Sequence, residues 1–153
     1  MPELQASVNP WTIACLAREI PRHAPLGAVL DGRPLVLFRD SHGRAAALED
    51  RCAHRNAPLS RGVMRDGTLE CAYHGWRYDR SGRVAEVPAL PEPAARNCLH
   101  AIRSYPTLEQ QGFVWVSLDD PVPLLAPLEF PHFGASGWTH FTMKTLFRAP
   151  IDA

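Results

Sequence analysis

The chain has 153 residues, 46% of them apolar, and its 16 basic and 16 acidic side chains cancel to zero net charge. This length fits one domain with at most a short appendage, and this apolar share fits a soluble domain with a true core. Neutrality gives no reason to expect nucleic acid or an acidic membrane as the main partner, and no run reaches the roughly 18 apolar residues of a membrane helix.

The opening Met1-Pro2-Glu3-Leu4-Gln5 has neither a basic n-region nor an apolar h-region, so a cytoplasmic protein is expected. Fifteen prolines argue against a helical protein, and the middle of the chain reads as short strands broken by turns. The first candidate strand is Trp11 to Leu16. Gly27 to Asp31 and Pro34 to Arg39 read as a hairpin joined at Asp31-Gly32-Arg33, because Asp-Gly accepts positive φ. Arg44 to Leu48 follows the turn Ser41-His42-Gly43. Leu69 to Tyr73, Trp76 to Tyr78 and Val84 to Val87 are further short strands, with Ser81-Gly82 as a turn. His100 to Tyr105 and Gly112 to Leu118 read as a closing pair. Both alternating sets of the second are largely apolar, which predicts a central strand. Asp119 to Pro131 has four prolines and no period, which suits a linker. Phe141 to Phe147 reads as extended, and Ala149 to Ala153 as the start of a further element. The expected domains are residues 1–118 and a linker with the beginning of a second domain over 119–153.

Four cysteines occur, and only two of them sit beside histidines: Cys52-Ala53-His54 and Cys71-Ala72-Tyr73-His74. Each segment offers one thiolate and one imidazole, with Gly62, Gly67 and Gly75 nearby. A binuclear iron–sulfur cluster with two cysteines on one iron and two histidines on the other needs this arrangement, each loop giving one ligand to each iron. The alternative is a structural zinc site. Zinc sites usually group like ligands, as Cys-x2–4-Cys followed by His-x3–5-His, and Cys-x-His is a tight bite for one tetrahedral ion.

The two segments, extended to Cys52-Ala53-His54-Arg55-Asn56-Ala57-Pro58-Leu59-Ser60-Arg61-Gly62 and Cys71-Ala72-Tyr73-His74-Gly75-Trp76-Arg77-Tyr78-Asp79, resemble the cluster-binding loops of Rieske domains. More narrowly they resemble Rieske non-haem iron oxygenases, the aromatic-ring-hydroxylating and demethylating enzymes. The resemblance runs from about Pro10 to Leu118, including Pro10-Trp11 and Gly112-Phe113-Val114-Trp115. It implies an all-β fold, an antiparallel β-sandwich with two cluster loops at one tip. It implies a [2Fe–2S] cluster on Cys52, His54, Cys71 and His74. Ala53 stands where many relatives have proline. Respiratory Rieske proteins carry a further cysteine in each loop and a serine after His-Gly; here those positions hold Ala57, Tyr73 and Trp76. Fewer hydrogen bonds to sulfur imply a potential toward the low end of the Rieske range, about −150 mV.

In the family the cluster feeds a mononuclear iron held by two histidines and a carboxylate in a C-terminal domain. The late candidates here are His132, His140 and Asp152, which read as surface or packing residues; no catalytic residue is assigned to this chain. The resemblance implies electron transfer to such an iron, with a reductase or ferredoxin as donor, the oxygenase catalytic domain as partner, and self-association of the full-length chain as an option. A stand-alone ferredoxin-type carrier is the other reading.

Cys15 and Cys98 read as buried small hydrophobes, His23, His42 and His100 as surface or hydrogen-bonded histidines, Trp11 and Trp115 as core, and Trp76 as a cover for the cluster. Tyr78 reads either as a strand aromatic or, by the resemblance, as a hydroxyl donor to a cysteine sulfur. Residues 51–83 hold Arg51, Arg55, Arg61, Arg65, Arg77, Arg80 and Arg83 against Asp66, Glu70 and Asp79, a net +4. That face is either solvated or a docking surface for an acidic redox partner.

Overall fold

The run Leu35-Val36-Leu37-Phe38 is apolar on both sides of its pleat, so this strand must be covered on two faces. It is. The computed structural model describes residues 9–91, 100–119 and 123–145, and it stacks three antiparallel sheets with this strand in the middle one. The middle sheet has four strands in the order β2 (Leu26–Leu30), β3 (Arg33–Arg39), β4 (Ala45–Glu49) and β9 (Ser104–Tyr105). One outer sheet has three strands, β1 (Trp11–Leu16), β11 (Phe113–Ser117) and β10 (Thr107–Gln110). The other has four short ones, β5 (Val63–Arg65), β6 (Thr68–Glu70), β7 (Arg77–Tyr78) and β8 (Val84–Glu86).

The two-residue period divides the middle sheet's side chains between two cores. Leu35, Leu37, Ala45 and Ala47 pack with Cys15, Tyr105, Val114 and Val116. Val36, Phe38, Ala46 and Leu48 pack with Leu59, Leu69, Tyr78, Cys52 and Cys71. The second core contains the two cysteines of the motif.

Most of the strands read from sequence are present. The β2–β3 hairpin turns at Asp31-Gly32, with φ of 47° and 68°, and β11 is central as expected. Three expectations need correction. Leu69 to Tyr73 is a strand only as far as Glu70, because at Cys71 the backbone turns back on itself. His100 to Tyr105 and Gly112 to Leu118 do not pair. Ser104–Tyr105 pairs with β4, while β11 pairs with β1 and with Thr107–Gln110. Pro106 lies between the two short strands, and proline cannot extend a ladder through its nitrogen. Gln111 and Gly112, at φ 51° and 77°, then make the tight turn into β11. Finally, residues 141–145 form no strand; Phe147 and the tail from Ala149 lie outside the described residues.

Residues 123–145 contain neither helix nor paired strand. They are strapped to the three-stranded sheet by side-chain-to-backbone bonds. Trp11 Nε1 donates to the Leu125 carbonyl at 2.7 Å, and Gln111 exchanges two bonds with Phe130. Trp11 is therefore half-buried under the strap rather than a core residue, whereas Trp115 is core.

Candidate metal centre

The end of β4 delivers residues 50–58 and the end of β6 delivers 71–76, so two loops meet at one tip of the domain. Both loops use the same turn. Cys52 N–H donates to the Ala57 carbonyl at 2.9 Å, and Asn56 N–H donates back to the Cys52 carbonyl at 2.8 Å. Cys71 N–H donates to the Trp76 carbonyl at 2.8 Å, and Gly75 N–H donates back to the Cys71 carbonyl at 3.0 Å. In each loop the residue four after the cysteine is left-handed, Asn56 at φ 57° and Gly75 at φ 70°. Asparagine and glycine tolerate that region best. Asp50 closes the first loop at its base, accepting bonds from the Ser60 amide at 2.7 Å and the Ser60 hydroxyl at 2.6 Å.

These turns separate the thiols from the imidazoles. Cys52 and Cys71 are each 2% exposed and sit in the core. His54 and His74 stand in solvent, their ring centroids 4.7 Å apart. Among the described residues no three His, Cys, Asp or Glu side chains gather as one tetrahedral ion would need. The donors come instead as a buried sulfur pair and an outward nitrogen pair.

Burial pushes the Cys71 thiol up and the neighbouring Cys52 adds to this, while the backbone amides of Tyr73 and His74 pull it down. Those amides would serve a thiolate, which is the form that binds metal. Tyr78 is wholly buried, and its hydroxyl lies 3.2 Å from Cys52 Sγ. The same oxygen accepts the Ala53 amide at 3.0 Å, and toward a thiolate sulfur, which has no proton of its own, the tyrosine O–H is the donor. Burial raises the Tyr78 hydroxyl's pKa, and the neighbouring Cys52 raises it further, so the group stays a donor. The His54 imidazole is held below its usual range, first by desolvation and then by the charges of His74 and Arg55. Neutral imidazole is the ligating form.

The Rieske [2Fe–2S] domain family matches residues 10–106 of this chain, well over half of it. The chain belongs to the Rieske [2Fe–2S] domain family. A [2Fe–2S] cluster is thus its cofactor, and the paired thiols and imidazoles suit that cofactor's mixed ligation. Among similar proteins, this chain is 36% identical over 145 residues to "Protein TIC 55, chloroplastic" of Arabidopsis thaliana, a match that covers 93% of this chain and 26% of that protein. It is 38% identical over 128 residues to the dicamba O-demethylase oxygenase component of Stenotrophomonas maltophilia, covering 82% of this chain and 36% of the relative. The crystal structure of dicamba monooxygenase with non-heme iron and dicamba superimposes with a TM-score of 0.67 at 37% identity, over 81% of this chain and 37% of that one. The chain therefore spans between about a quarter and two fifths of the length of these relatives.

The remaining residues singled out by sequence fall elsewhere. Cys15 is buried in the other core, and Cys98 lies outside the described residues. His23 and His42 are exposed, and His100 meets Trp76 edge-on at 6.0 Å. His132 stacks on Trp138 at 4.4 Å and His140 packs on Phe133 at 4.1 Å, far along the chain from the cluster loops; Asp152 lies outside the described residues. Among the described residues, carboxylates engage Arg51 (Glu49), Arg65 (Glu70), Arg77 (Asp66 and Glu86) and Arg80 (Asp40). Arg55, Arg61 and Arg83 are exposed. Sequence reasoning missed Asn56 as the left-handed counterpart of Gly75; its place four residues after Cys52 was the available signal.

Proposed function

We propose that Cys52 and Cys71 hold one iron of the cluster and His54 and His74 the other. The observation that carries this reading is the division of donors, with both sulfurs 2% exposed and both imidazoles in solvent. When bound, the cluster supplies one-electron redox chemistry. The amides of Tyr73 and His74 and the hydroxyl of Tyr78 steady the sulfur side. The imidazoles present the outer side to a partner. His54→Cys and His74→Cys are expected to abolish the Rieske electron paramagnetic resonance signature, which arises from imidazole on one iron. A variant that keeps the wild-type spectrum removes the assignment.

The same reading extends to the larger protein. Residues 1–118 form the Rieske domain, and 119–153 form a linker and the start of a further domain. The electron passes to a mononuclear non-haem iron of the two-histidine, one-carboxylate kind, for hydroxylation or demethylation of an aromatic substrate. The name of the Stenotrophomonas relative supports demethylation among these. A reductase or ferredoxin supplies the electron in the cytoplasm, and no helix among the described residues is long and apolar enough to cross a membrane. An acidic donor would meet the arginines near the loops, so its reduction of the chain slows as salt rises. The chain alone accepts an electron, binds two irons as one cluster and oxygenates nothing. Product from an aromatic substrate with this chain alone, or a reproducible third iron, would overturn that division of labour.

A further inference from the structure

The two imidazoles at the tip have different aromatic neighbours. The Trp76 indole lies parallel on the His54 ring, with centroids 5.0 Å apart and planes 6° from one another. The indole is itself held. His100 meets it edge-on at 6.0 Å and 89°, and it is half-buried against the core that contains both cysteines. His74 has Tyr73 as its nearest ring, at 3.8 Å and 36°. That residue is 60% exposed.

An indole stacked with an offset on an imidazole shields part of that ring face from water, while the rest of His54 stays exposed. The oxidised cluster, with ferric irons, sulfides, two thiolates and two neutral imidazoles, carries no net charge; one electron makes it an anion. Water stabilises the charged form over the neutral one, so keeping water off His54 disfavours reduction. We propose that Trp76 is a positioning residue that fixes the plane of His54, shields part of one face of it from water, and thereby lowers the midpoint potential. This rests on the reading of His54 as an iron ligand. The residue after His-Gly thus tunes the potential here by excluding water.

The test compares Trp76→Phe, Trp76→Leu and Tyr73→Leu in the cluster-loaded protein, by potentiometric titration followed by paramagnetic resonance. Midpoints are expected to rise in the order wild type, Trp76→Phe, Trp76→Leu, since phenylalanine covers part of the face and leucine least of it. At the wild-type midpoint the reduced-to-oxidised ratio of Trp76→Leu should increase at least threefold, a shift of about 28 mV for a one-electron couple. Its g-values should move as the His54 ring gains freedom. Tyr73→Leu should shift the midpoint less. A Trp76→Leu midpoint at or below wild type overturns the proposal, as does a larger shift from Tyr73→Leu. Loss of the cluster from both Trp76 variants while their circular dichroism stays native also overturns it, since Trp76 would then be loop scaffold. Failure of the ligand reading shows separately, in a His54→Cys variant that keeps the wild-type spectrum.

Discussion

The hydroxyl of Tyr78 and the sulfur of Cys52, 26 residues apart in sequence, meet at 3.2 Å inside the core. The tyrosine oxygen also accepts the Ala53 amide at 3.0 Å, and toward a thiolate sulfur the O–H is the donor. A hydrogen bond to a ligand sulfur stabilises the reduced, more negative state. Tyr78→Phe removes it with little change of shape. The midpoint is expected to fall by roughly 40 mV, taking about 1 kcal/mol for the bond and about 59 mV per tenfold change in a one-electron equilibrium. Potentiometric titration of the two proteins checks this, and an unchanged midpoint would show that the contact does not reach the redox equilibrium.

Cys15 is 7% exposed in the core between the middle and three-stranded sheets. Burial, with Glu19 adding to it, pushes its pKa from 9.0 to about 11. Below pH 9 folded and unfolded chains both keep this proton. Between pH 9 and about 11 the unfolded chain loses it and the folded chain does not, so stability falls as pH rises through that window. The loss is of order 2 kcal/mol. Urea titrations of wild type and Cys15→Ala at pH 8 and pH 10.5 should show a smaller pH-dependent drop in the variant. Alkylation of native protein at pH 8, mapped by mass spectrometry, should leave Cys15 unmodified.

Arg39 ties the sheets together. It donates to Glu109 of β10 at 3.0 and 3.3 Å and to the carbonyls of Gly43 and Ala17, while Glu109 also accepts the Ala45 amide at 3.0 Å. The arginine side chain is 17% exposed and the glutamate 34%. Arg39→Met leaves two carbonyls and a carboxylate short of a donor, so a loss of about 1–3 kcal/mol is expected. Glu109→Gln keeps a carbonyl acceptor for Ala45 and should cost less. Chemical denaturation of the two variants decides the order.

Gly82 turns the β7–β8 hairpin at φ 79°, and a Cβ there would stand 2.1 Å from the Ile102 carbonyl oxygen. The same segment is bonded to it, Ile102 N–H to the Gly82 carbonyl at 2.9 Å. Gly82→Ala must either shift that backbone or bear the left-handed strain, and a destabilisation of about 2 kcal/mol or more is expected. The turn lies at the far end of β7 from Trp76, so the loaded variant should keep the wild-type resonance spectrum while its denaturation midpoint falls.

The amino-acid sequence by itself determined the family, through two local motifs, and much of the scaffold. The ligand set proposed for the cluster was legible because Cys52 with His54 and Cys71 with His74 are local pairs of donors. The β2–β3 hairpin was legible for the same reason, since Asp31-Gly32 encodes its turn without help from the rest of the chain. Asp66-Gly67 carried the same signal for the β5–β6 hairpin, but three-residue strands are too short to show a period. What only the tertiary structure decided is which distant surfaces meet. The run from His100 to Gln110 is divided at Pro106 between two sheets, because Tyr105 fills one core while Thr107–Gln110 lies along β11. Trp76 on His54 and Tyr78 on Cys52 are likewise contacts between the two loops and the strand behind them. They depend on the angle at which two turns, built alike, are held by sheets that pair through non-local hydrogen bonds. No spacing along the chain encodes that angle.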